Sequence, residues 1–223
     1  MELQDGDILA IAQKVVSKAE NRLVNLDGVV PSARARQLAQ DVEKDARFVE
    51  LVLRESREVV RTRPGTLIVE HNLGFICANA GVDHSNVMGP TGNPEDWVLL
   101  LPVDPDASAE RLRKQLSAAF EASIGVLIID SHGRAWRNGV VGISIGLAGM
   151  PGIVDMRGKP DLFGFHLRIT QIAAADELAA AASLVMGQAS EGIPVIHVRG
   201  FPYPLREASF GELLRPKEQD LFR

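Results

Sequence analysis

The 223-residue sequence contains one cysteine, Cys77, so it cannot form an internal disulfide or a cysteine-rich zinc site. It also lacks long apolar runs. The stretch 124–129 is far too short to cross a bilayer, and the N-terminal sequence MELQDGD has no apolar core of the kind found in signal peptides. These absences predict a soluble, cytoplasmic protein.

Positive charge is not in excess either. The chain has 24 Lys and Arg against 29 Asp and Glu, a formal net charge of −5, which argues against general binding to nucleic acids or anionic membranes. Its 46% hydrophobic and 24% charged residues are typical of globular proteins and exclude disorder as the main state. The length suits one large domain or two small ones.

Standard nucleotide-binding and hydrolase motifs are also missing. The chain has no GxxxxGK[ST] phosphate loop and no GxGxxG, HExxH or GxSxG motif. The nearest approach to a phosphate loop, residues 152–159, has one residue too many between its glycines. The common motifs therefore leave the reaction class open.

Short apolar stretches typical of strands alternate along the chain with segments of helical periodicity. This order predicts an α/β or α+β fold of mixed sheets with flanking helices. Strands are expected at residues 8–16, 97–103, 124–129, 165–172 and 194–198, with a hairpin over 66–78. Helices are expected as one or two after Pro31, as one capped by Asp106 or Ser108, and as one over 173–186. The small-residue stretch 139–152 is expected to form a tightly packed helix or turn.

Two carboxylates follow closely on predicted strands. Asp130 comes directly after the aliphatic residues 127–129 and precedes a glycine-containing loop, and Asp83 lies in a polar stretch beyond the hairpin. An aspartate at the carboxyl end of a strand is a common metal ligand. The ordinary alternatives are a capping turn for Asp130 and an Asx-turn for Asp83, and spacing alone leaves both open.

Basic side chains lie near these carboxylates in the sequence. Arg134 and Arg137 follow Asp130, and planar guanidinium groups suit phosphate or carboxylate recognition, although they could also pair with acidic surface residues. Lys14 and Lys18, at the exit of the first strand, could neutralise a triphosphate or keep an edge strand soluble. A lone histidine such as His132 is more often structural or solvated than catalytic.

Eight segments, in order over nearly the whole chain, resemble the coenzyme F420-0:L-glutamate ligases. These are the GTP-dependent γ-glutamyl ligases that build the tail of the deazaflavin coenzyme F420. The segments are GDILAIAQKVVSKAENR, NAGVDHSNV, LLPVDPDASAERLR, VLIIDSHGRAWRNGVVGISIGLAG, RGKPDLFG, LVMGQASEGIPV, VRG and the terminal LLRPKEQDLF.

The resemblance implies an unusual α/β fold and an intertwined homodimer with the site near the subunit interface. It also implies a reaction. GTP would phosphorylate the terminal carboxylate of coenzyme F420-0, and the amine of L-glutamate would then attack the acyl phosphate to form an amide. Phosphoryl transfer needs a divalent cation, Mg²⁺ or Mn²⁺, and K⁺ is a further candidate cofactor.

The resemblance also assigns site residues. Asp83 and Asp130 match ligands of a first divalent metal, and Ser131 stands at a position, usually Thr, that touches a second metal. Gln188 stands where archaeal members have a metal-binding Glu, so the affinity of the second site should be lower. The positions matching GTP contacts are Gln13, Lys18 and Asn86, with the loop Met186, Gly187, Gln188, Ala189, Ser190, Glu191, Gly192 and Ile193.

Two departures keep alternatives open. Residues 1–223 read as a single domain without the family's usual N-terminal segment, which contacts the nucleotide, and Gln188 is uncharged. Both features favour a non-catalytic homologue that binds phosphate or deazaflavin, whereas the retained Asp83, Asp130 and Asn86 favour an enzyme. A related amide ligase with a different acceptor is the third possibility. Neither nucleic acid nor a membrane is expected as a partner.

Overall fold

The computed structural model describes residues 2–221, which form eleven strands and five helices. The strands are β1 (Ile8–Ala12), β2 (Leu23–Asn25), β3 (Ser56–Arg63), β4 (Thr66–His71), β5 (Ile76–Ala78), β6 (Trp97–Leu99), β7 (Gly125–Arg134), β8 (Arg137–Ala148), β9 (Val154–Asp155), β10 (Gln171–Ile172) and β11 (Val195–Val198). The helices are α1 (Gln13–Ala19), α2 (Ala33–Val42), α3 (Ala46–Arg54), α4 (Pro105–Phe120) and α5 (Ala174–Met186). This content confirms the predicted α+β class.

The described residues divide into two compact units. The first unit takes residues 2–12, 104–131 and 140–214, and the second takes 13–103, 132–139 and 215–221. Phe222, which ends the terminal motif used in the resemblance, lies outside the described residues. Among the described helices, none is both long enough and apolar enough to span a bilayer.

A four-stranded mixed sheet in the order β11-β1-β7-β8 organises the first unit. β1 runs parallel to β7, with Ile8 opposite Gly125 and Ala12 opposite Ile129, and antiparallel to β11. β1 and the first half of β7 are buried aliphatic runs, the pattern typical of parallel strands covered on both faces. Leu147, Met150 and buried alanines of α5 complete this core.

The small-residue stretch 139–152 is mainly a strand, β8, and the predicted helix or turn was wrong. Its glycines allow a strand to approach helices closely. A Cβ on Gly142 would lie 2.4 Å from the Cβ of Ser183 on α5, and a Cβ on Gly146 would lie 2.4 Å from the Cβ of Pro105 on α4. The sequence pattern therefore reflects packing distance rather than a turn.

The second unit combines the antiparallel sheet β3-β4-β5, the pair β2-β6 and the helices α1, α2 and α3. The predicted hairpin is confirmed as β4 and β5. The tract after Pro31 forms two helices, because Glu43 adopts a left-handed conformation at φ 54° and Asp45 caps α3 through a hydrogen bond from the Arg47 amide.

The first strand ends earlier than predicted. β1 stops at Ala12 and α1 starts at Gln13, so residues 13–16 are helical rather than extended. Buried Gln13, Val16 and Ser17 recur at helical spacing, and the Ser17 hydroxyl donates to Gln13 Oε1 at 2.8 Å. A run of aliphatic residues across the junction hides this change of period.

Other predicted boundaries also move. α4 is capped by Asp104, whose Oδ1 accepts from the Ala107 amide at 3.0 Å, rather than by Asp106 or Ser108. Asp106 instead accepts from the amides of Leu147 and Phe210. β7 continues through Asp130 to Arg134, whereas the strands predicted over 97–103 and 165–172 shrink to β6 and β10.

Candidate functional site

Asp83 lies in the second unit, in the loop between β5 and β6, with its backbone fixed to β6. Its N–H donates to the Leu99 carbonyl at 3.1 Å, and its own carbonyl accepts from the Leu99 amide at 2.9 Å. Its Oδ1 accepts from the Ser85 amide at 2.8 Å, so the predicted Asx-turn is present. The other carboxylate oxygen, Oδ2, faces a lysine side chain.

That oxygen is held by Lys14 of α1. The Lys14 ammonium donates to Asp83 Oδ2, to the Ser85 carbonyl at 3.0 Å and to the Ser85 hydroxyl at 3.0 Å. The Ser85 hydroxyl in turn donates to Asp83 Oδ2 at 2.7 Å. We call Asp83 and Ser85, with these three oxygens, the oxygen cradle.

The ionisation of Asp83 follows from this arrangement. Burial raises the pKa of the carboxyl group. Hydrogen bonds from Lys14 and from the Ser85 amide and hydroxyl together lower the pKa by more than burial raises it, so it lies below its usual value. Carboxylate, carbonyl and hydroxyl oxygens are the ligands that hard cations such as Mg²⁺ prefer. Since an ammonium already sits on them, these residues fit a cation site.

Lys18, one helical turn beyond Lys14, contacts the same loop. Its ammonium donates to the Asn86 carbonyl at 2.7 Å, and Asn86 adopts a left-handed conformation at φ 55°. The structure therefore brings together Lys18 and Asn86, two of the three single residues expected to contact a nucleotide. The third, Gln13, is buried at the start of α1, where its side chain accepts a hydrogen bond from the Ser17 hydroxyl.

Asp130 and Ser131 belong to the first unit, on β7. The Ser131 hydroxyl donates to Gln188 Oε1 at 2.8 Å, and Gln188 Nε2 donates to the Ser183 hydroxyl at 2.8 Å. The two bonds point the amide oxygen of Gln188 toward Ser131. The two residues that the resemblance assigns to a second metal are thus adjacent, and we call them the Ser131–Gln188 pair.

The loop 186–193 that carries Gln188 folds back on itself after α5. Gly187 ends the helix at φ 76°, and a Cβ there would lie 2.2 Å from the Glu191 side chain. Glu191 accepts from the Ala189 amide at 2.8 Å. Hydrogen bonds from the backbone amides of Ala189, Glu191 itself and Gln188 hold the pKa of this carboxyl below its usual value.

Residues 132–139 form the turn end of the β7–β8 hairpin. His132 is buried against the Phe75 ring, with centroids 5.2 Å apart, which supports its structural interpretation. Arg134 donates to the Asn138 carbonyl within the hairpin at 3.3 Å. Neither observation gives this end of the hairpin a catalytic role.

Sequence reasoning missed the oxygen cradle. The sequence predicts Lys14 to contact a phosphate or to keep an edge strand soluble, and it gives no role to Ser85. The useful signal was the spacing of Lys14 and Lys18. Residues four apart share one face of a helix, so both lysines can contact the loop at 83–86 once α1 is known to start at Gln13. Among residues 2–221, no three His, Cys, Asp or Glu side chains are grouped to hold a metal, so a cation site needs hydroxyl, carbonyl or amide oxygens as well.

Comparison with known proteins agrees with the resemblance. The model of the F420-0:Gamma-glutamyl ligase family matches residues 1–200. Coenzyme F420:L-glutamate ligase of Methanocaldococcus jannaschii is 42% identical over 221 residues, which cover 99% of this chain and 86% of that protein. The proteins of the same name from Methanothermobacter thermautotrophicus and Methanopyrus kandleri are 45% and 46% identical, over 100% of this chain and 86% and 87% of theirs. The chain belongs to this family.

Proposed function

We propose that this member of the F420-0:gamma-glutamyl ligase family joins L-glutamate to the terminal carboxylate of coenzyme F420-0, with GTP as the phosphoryl donor. The identity of 42–46% to proteins named as coenzyme F420:L-glutamate ligases supports the acceptor and the amine. The observation that carries the catalytic proposal is the oxygen cradle at Asp83, next to the Lys18–Asn86 contact. A protein that only bound the deazaflavin would not need a cation site there.

The proposed chemistry follows from the acceptor. A carboxylate is a poor electrophile, so one of its oxygens first attacks the γ-phosphorus of GTP, and GDP leaves. The amine of L-glutamate then attacks the carbonyl carbon, the new C–N bond forms, and the C–O bond to the phosphoryl group breaks. Inorganic phosphate departs and the amine loses a proton. One difficult step, direct attack of the amine on a carboxylate, is thereby replaced by two easier ones.

The residues divide this work. Asp83 and Asp130 would hold a first divalent cation, and Ser131 and Gln188 a second one. Such cations neutralise charge that develops on phosphate oxygens during transfer. Lys18 adds a positive charge beside Asn86, and the loop 186–193 would surround the nucleotide. We retain K⁺ as a candidate monovalent cofactor, tested by its omission from the assay.

We also propose that the protein acts as an intertwined homodimer in the cytoplasm. Large apolar side chains of the first unit support this, because they are almost fully exposed in the single chain. Leu162, Phe163, Ile169 and Leu184 are 97%, 95%, 87% and 86% exposed. A second copy that covered them would remove an unfavourable apolar surface. Sedimentation equilibrium tests this proposal, and a mass of one chain at micromolar concentration would contradict it.

The test of function is mass spectrometry of coenzyme F420-0 after incubation with the protein, GTP, Mn²⁺ and L-glutamate. We expect the mass to rise in units of one glutamyl residue. Omission of GTP, and its replacement by ATP, establish the donor, and Asp130→Asn is the matched inactive control. A folded protein that binds GTP but adds no glutamate would identify a non-catalytic homologue. Product formed only with another carboxylate would identify a different acceptor.

A further inference from the structure

The ammonium of Lys14 is fully satisfied by the oxygen cradle. An ammonium group has three N–H donors, and three oxygens accept them: Asp83 Oδ2, the Ser85 carbonyl and the Ser85 hydroxyl. Lys14 reaches this loop from α1 across 69 residues of sequence, so the contact joins two separate segments of the second unit. It is not a chance pairing of sequence neighbours.

Lys14 differs in this respect from Lys18, four residues along the same helix. Lys18 donates to a neutral backbone carbonyl, that of Asn86, whereas Lys14 is paired with an ionised carboxylate. The Lys14 side chain is only 24% exposed, and that of Asp83 is 42% exposed. The Lys14 ammonium therefore occupies the place where the Asp83 carboxylate and the Ser85 oxygens would otherwise attract another cation.

We propose that Lys14 is the resident cation of the oxygen cradle and that a divalent cation must displace it to bind Asp83, with Ser85 as a further ligand. Two cations on one carboxylate oxygen repel each other, so the two occupants exclude each other. The inference rests on the proposed function only in taking Asp83 as a ligand of a divalent cation. It extends that function by making Lys14 a competitor, and by assigning Ser85 to the cation site.

Displacement has a consequence for anions. An ammonium released from Asp83 stays on α1, one turn from Lys18, so a bound divalent cation would leave two ammonium groups near Asn86 that are not paired with a carboxylate, instead of one. Binding of the divalent cation and binding of a phosphate-bearing ligand would then favour each other. Lys14 is in this sense a positioning residue, because it acts through the site and not on the reacting atoms.

The experiment measures Mn²⁺ binding by the full chain without nucleotide, acceptor or glutamate, using the electron paramagnetic resonance signal of free Mn²⁺. We compare wild type with Lys14→Met, Asp83→Asn and Lys217→Met. Lys217 is the matched control, since it pairs with Glu58 at 3.0 Å on the surface of the same unit. We expect Lys14→Met to bind Mn²⁺ about tenfold more tightly, because Mn²⁺ no longer has to displace an ammonium from a partly exposed ion pair of modest strength. Lys217→Met should stay within about twofold.

The variants separate this inference from the proposed function. If Asp83→Asn loses the bound Mn²⁺ but Lys14→Met binds as wild type or more weakly, the inference about Lys14 is overturned and the metal at Asp83 stands. If Asp83→Asn binds Mn²⁺ as wild type does, the metal at Asp83 and the inference both fall, and the ligation assay decides the activity separately.

A second measurement needs no variant and covers the case in which Lys14→Met does not fold. Trace acetylation at fixed pH, followed by peptide mass mapping, reports how accessible each lysine amine is. We expect the modification of Lys14, relative to that of Lys217, to rise severalfold when Mn²⁺ is added. An unchanged ratio at saturating Mn²⁺ would show that the cation does not displace Lys14.

Discussion

The oxygen cradle and the Ser131–Gln188 pair are both rich in hard oxygen ligands, but they are held in opposite ways. In the cradle, a carboxylate is neutralised by the ammonium of Lys14. In the pair, two neutral groups satisfy each other, and Ser183 completes the chain of hydrogen bonds. We therefore expect cation affinity to be limited by competition from Lys14 at the cradle and by missing ligand charge at the Ser131–Gln188 pair.

The largest effect should come from removing the only charge of the cradle. We expect Asp83→Asn to lower ligation about 100-fold or more at limiting metal, because the neutral amide no longer offsets the charge of a cation. Asp130→Asn should behave similarly. Steady-state rates at several Mn²⁺ concentrations test this, with circular dichroism as the folding control. Near-normal turnover of Asp83→Asn would show that the cradle does not serve the reaction.

The next effect concerns Lys18, which lies beside the cradle but outside it. If this side chain neutralises a phosphate, Lys18→Ala should weaken GTP binding by about 1–3 kcal/mol, the range for a charge-assisted hydrogen bond. Isothermal titration calorimetry measures the difference, with Lys217→Ala as the charge-matched control. Unchanged GTP affinity would mean that Lys18 only fixes the loop through the Asn86 carbonyl.

A buried carboxylate–cation pair in the first unit sharpens the contrast with Asp83. Asp7 is 1% exposed, and it accepts from Arg199 at 2.8 and 2.9 Å and contacts His197 Nε2 at 2.8 Å. We expect Asp7→Asn to lower the free energy of unfolding at pH 7 by about 1–3 kcal/mol, because the buried acceptor loses the charge that strengthens its hydrogen bonds from Arg199. Asp83→Asn should cost less stability, since its pair is partly exposed. Urea unfolding monitored by fluorescence tests both.

The Asp7 pair also has a defined pH dependence. Its hydrogen bond from Arg199 holds the pKa of Asp7 well below its usual range. The pair's contribution is therefore complete above the unfolded-state pKa of about 3.9 and is lost as the pH falls through the lower, folded-state value. The stability difference between wild type and Asp7→Asn should shrink below about pH 4. A difference that stays constant into strong acid would contradict this assignment.

The smallest effect should come from adding charge to the neutral pair. Glu at position 188 could accept from both the Ser131 and the Ser183 hydroxyls, so the geometry is kept while one negative charge is added. We expect Gln188→Glu to lower the metal concentration for half-maximal activity by about three- to tenfold. Gln188→Met is the control of similar length without the oxygen. Superimposable activation curves for wild type and Gln188→Glu would withdraw Gln188 as a ligand.

Sequence patterns could predict the elements that consist of a continuous aliphatic or alanine-rich run. The apolar start of β1, the aliphatic half of β7 and the alanine-rich α5 follow from composition alone. They could not predict where β1 turns into α1, because aliphatic residues continue across the junction. Nor could they predict β8, because its glycines are required by the close approach of α4 and α5. Local pattern carries no information about such distant neighbours.

The candidate site also has a part that could be predicted from the sequence and a part that could not. Ser131 contacts Gln188, and Lys18 contacts Asn86; the family resemblance names all four residues, and their roles stay predictions. The Lys14–Asp83 pair was not predicted, because it joins residues 69 positions apart through a helix that the sequence pattern hid. The pairing itself therefore had to come from the structure.

The central claim, ligation through an acyl phosphate, is tested most directly by the fate of a carboxylate oxygen. Coenzyme F420-0 carrying ¹⁸O in its terminal carboxylate is incubated with the protein, GTP, Mn²⁺ and L-glutamate, and the released phosphate is analysed by mass spectrometry. We predict one ¹⁸O atom in inorganic phosphate for each amide formed, since the oxygen that attacks the γ-phosphorus leaves with it. Amide formation accompanied by unlabelled phosphate would contradict the account.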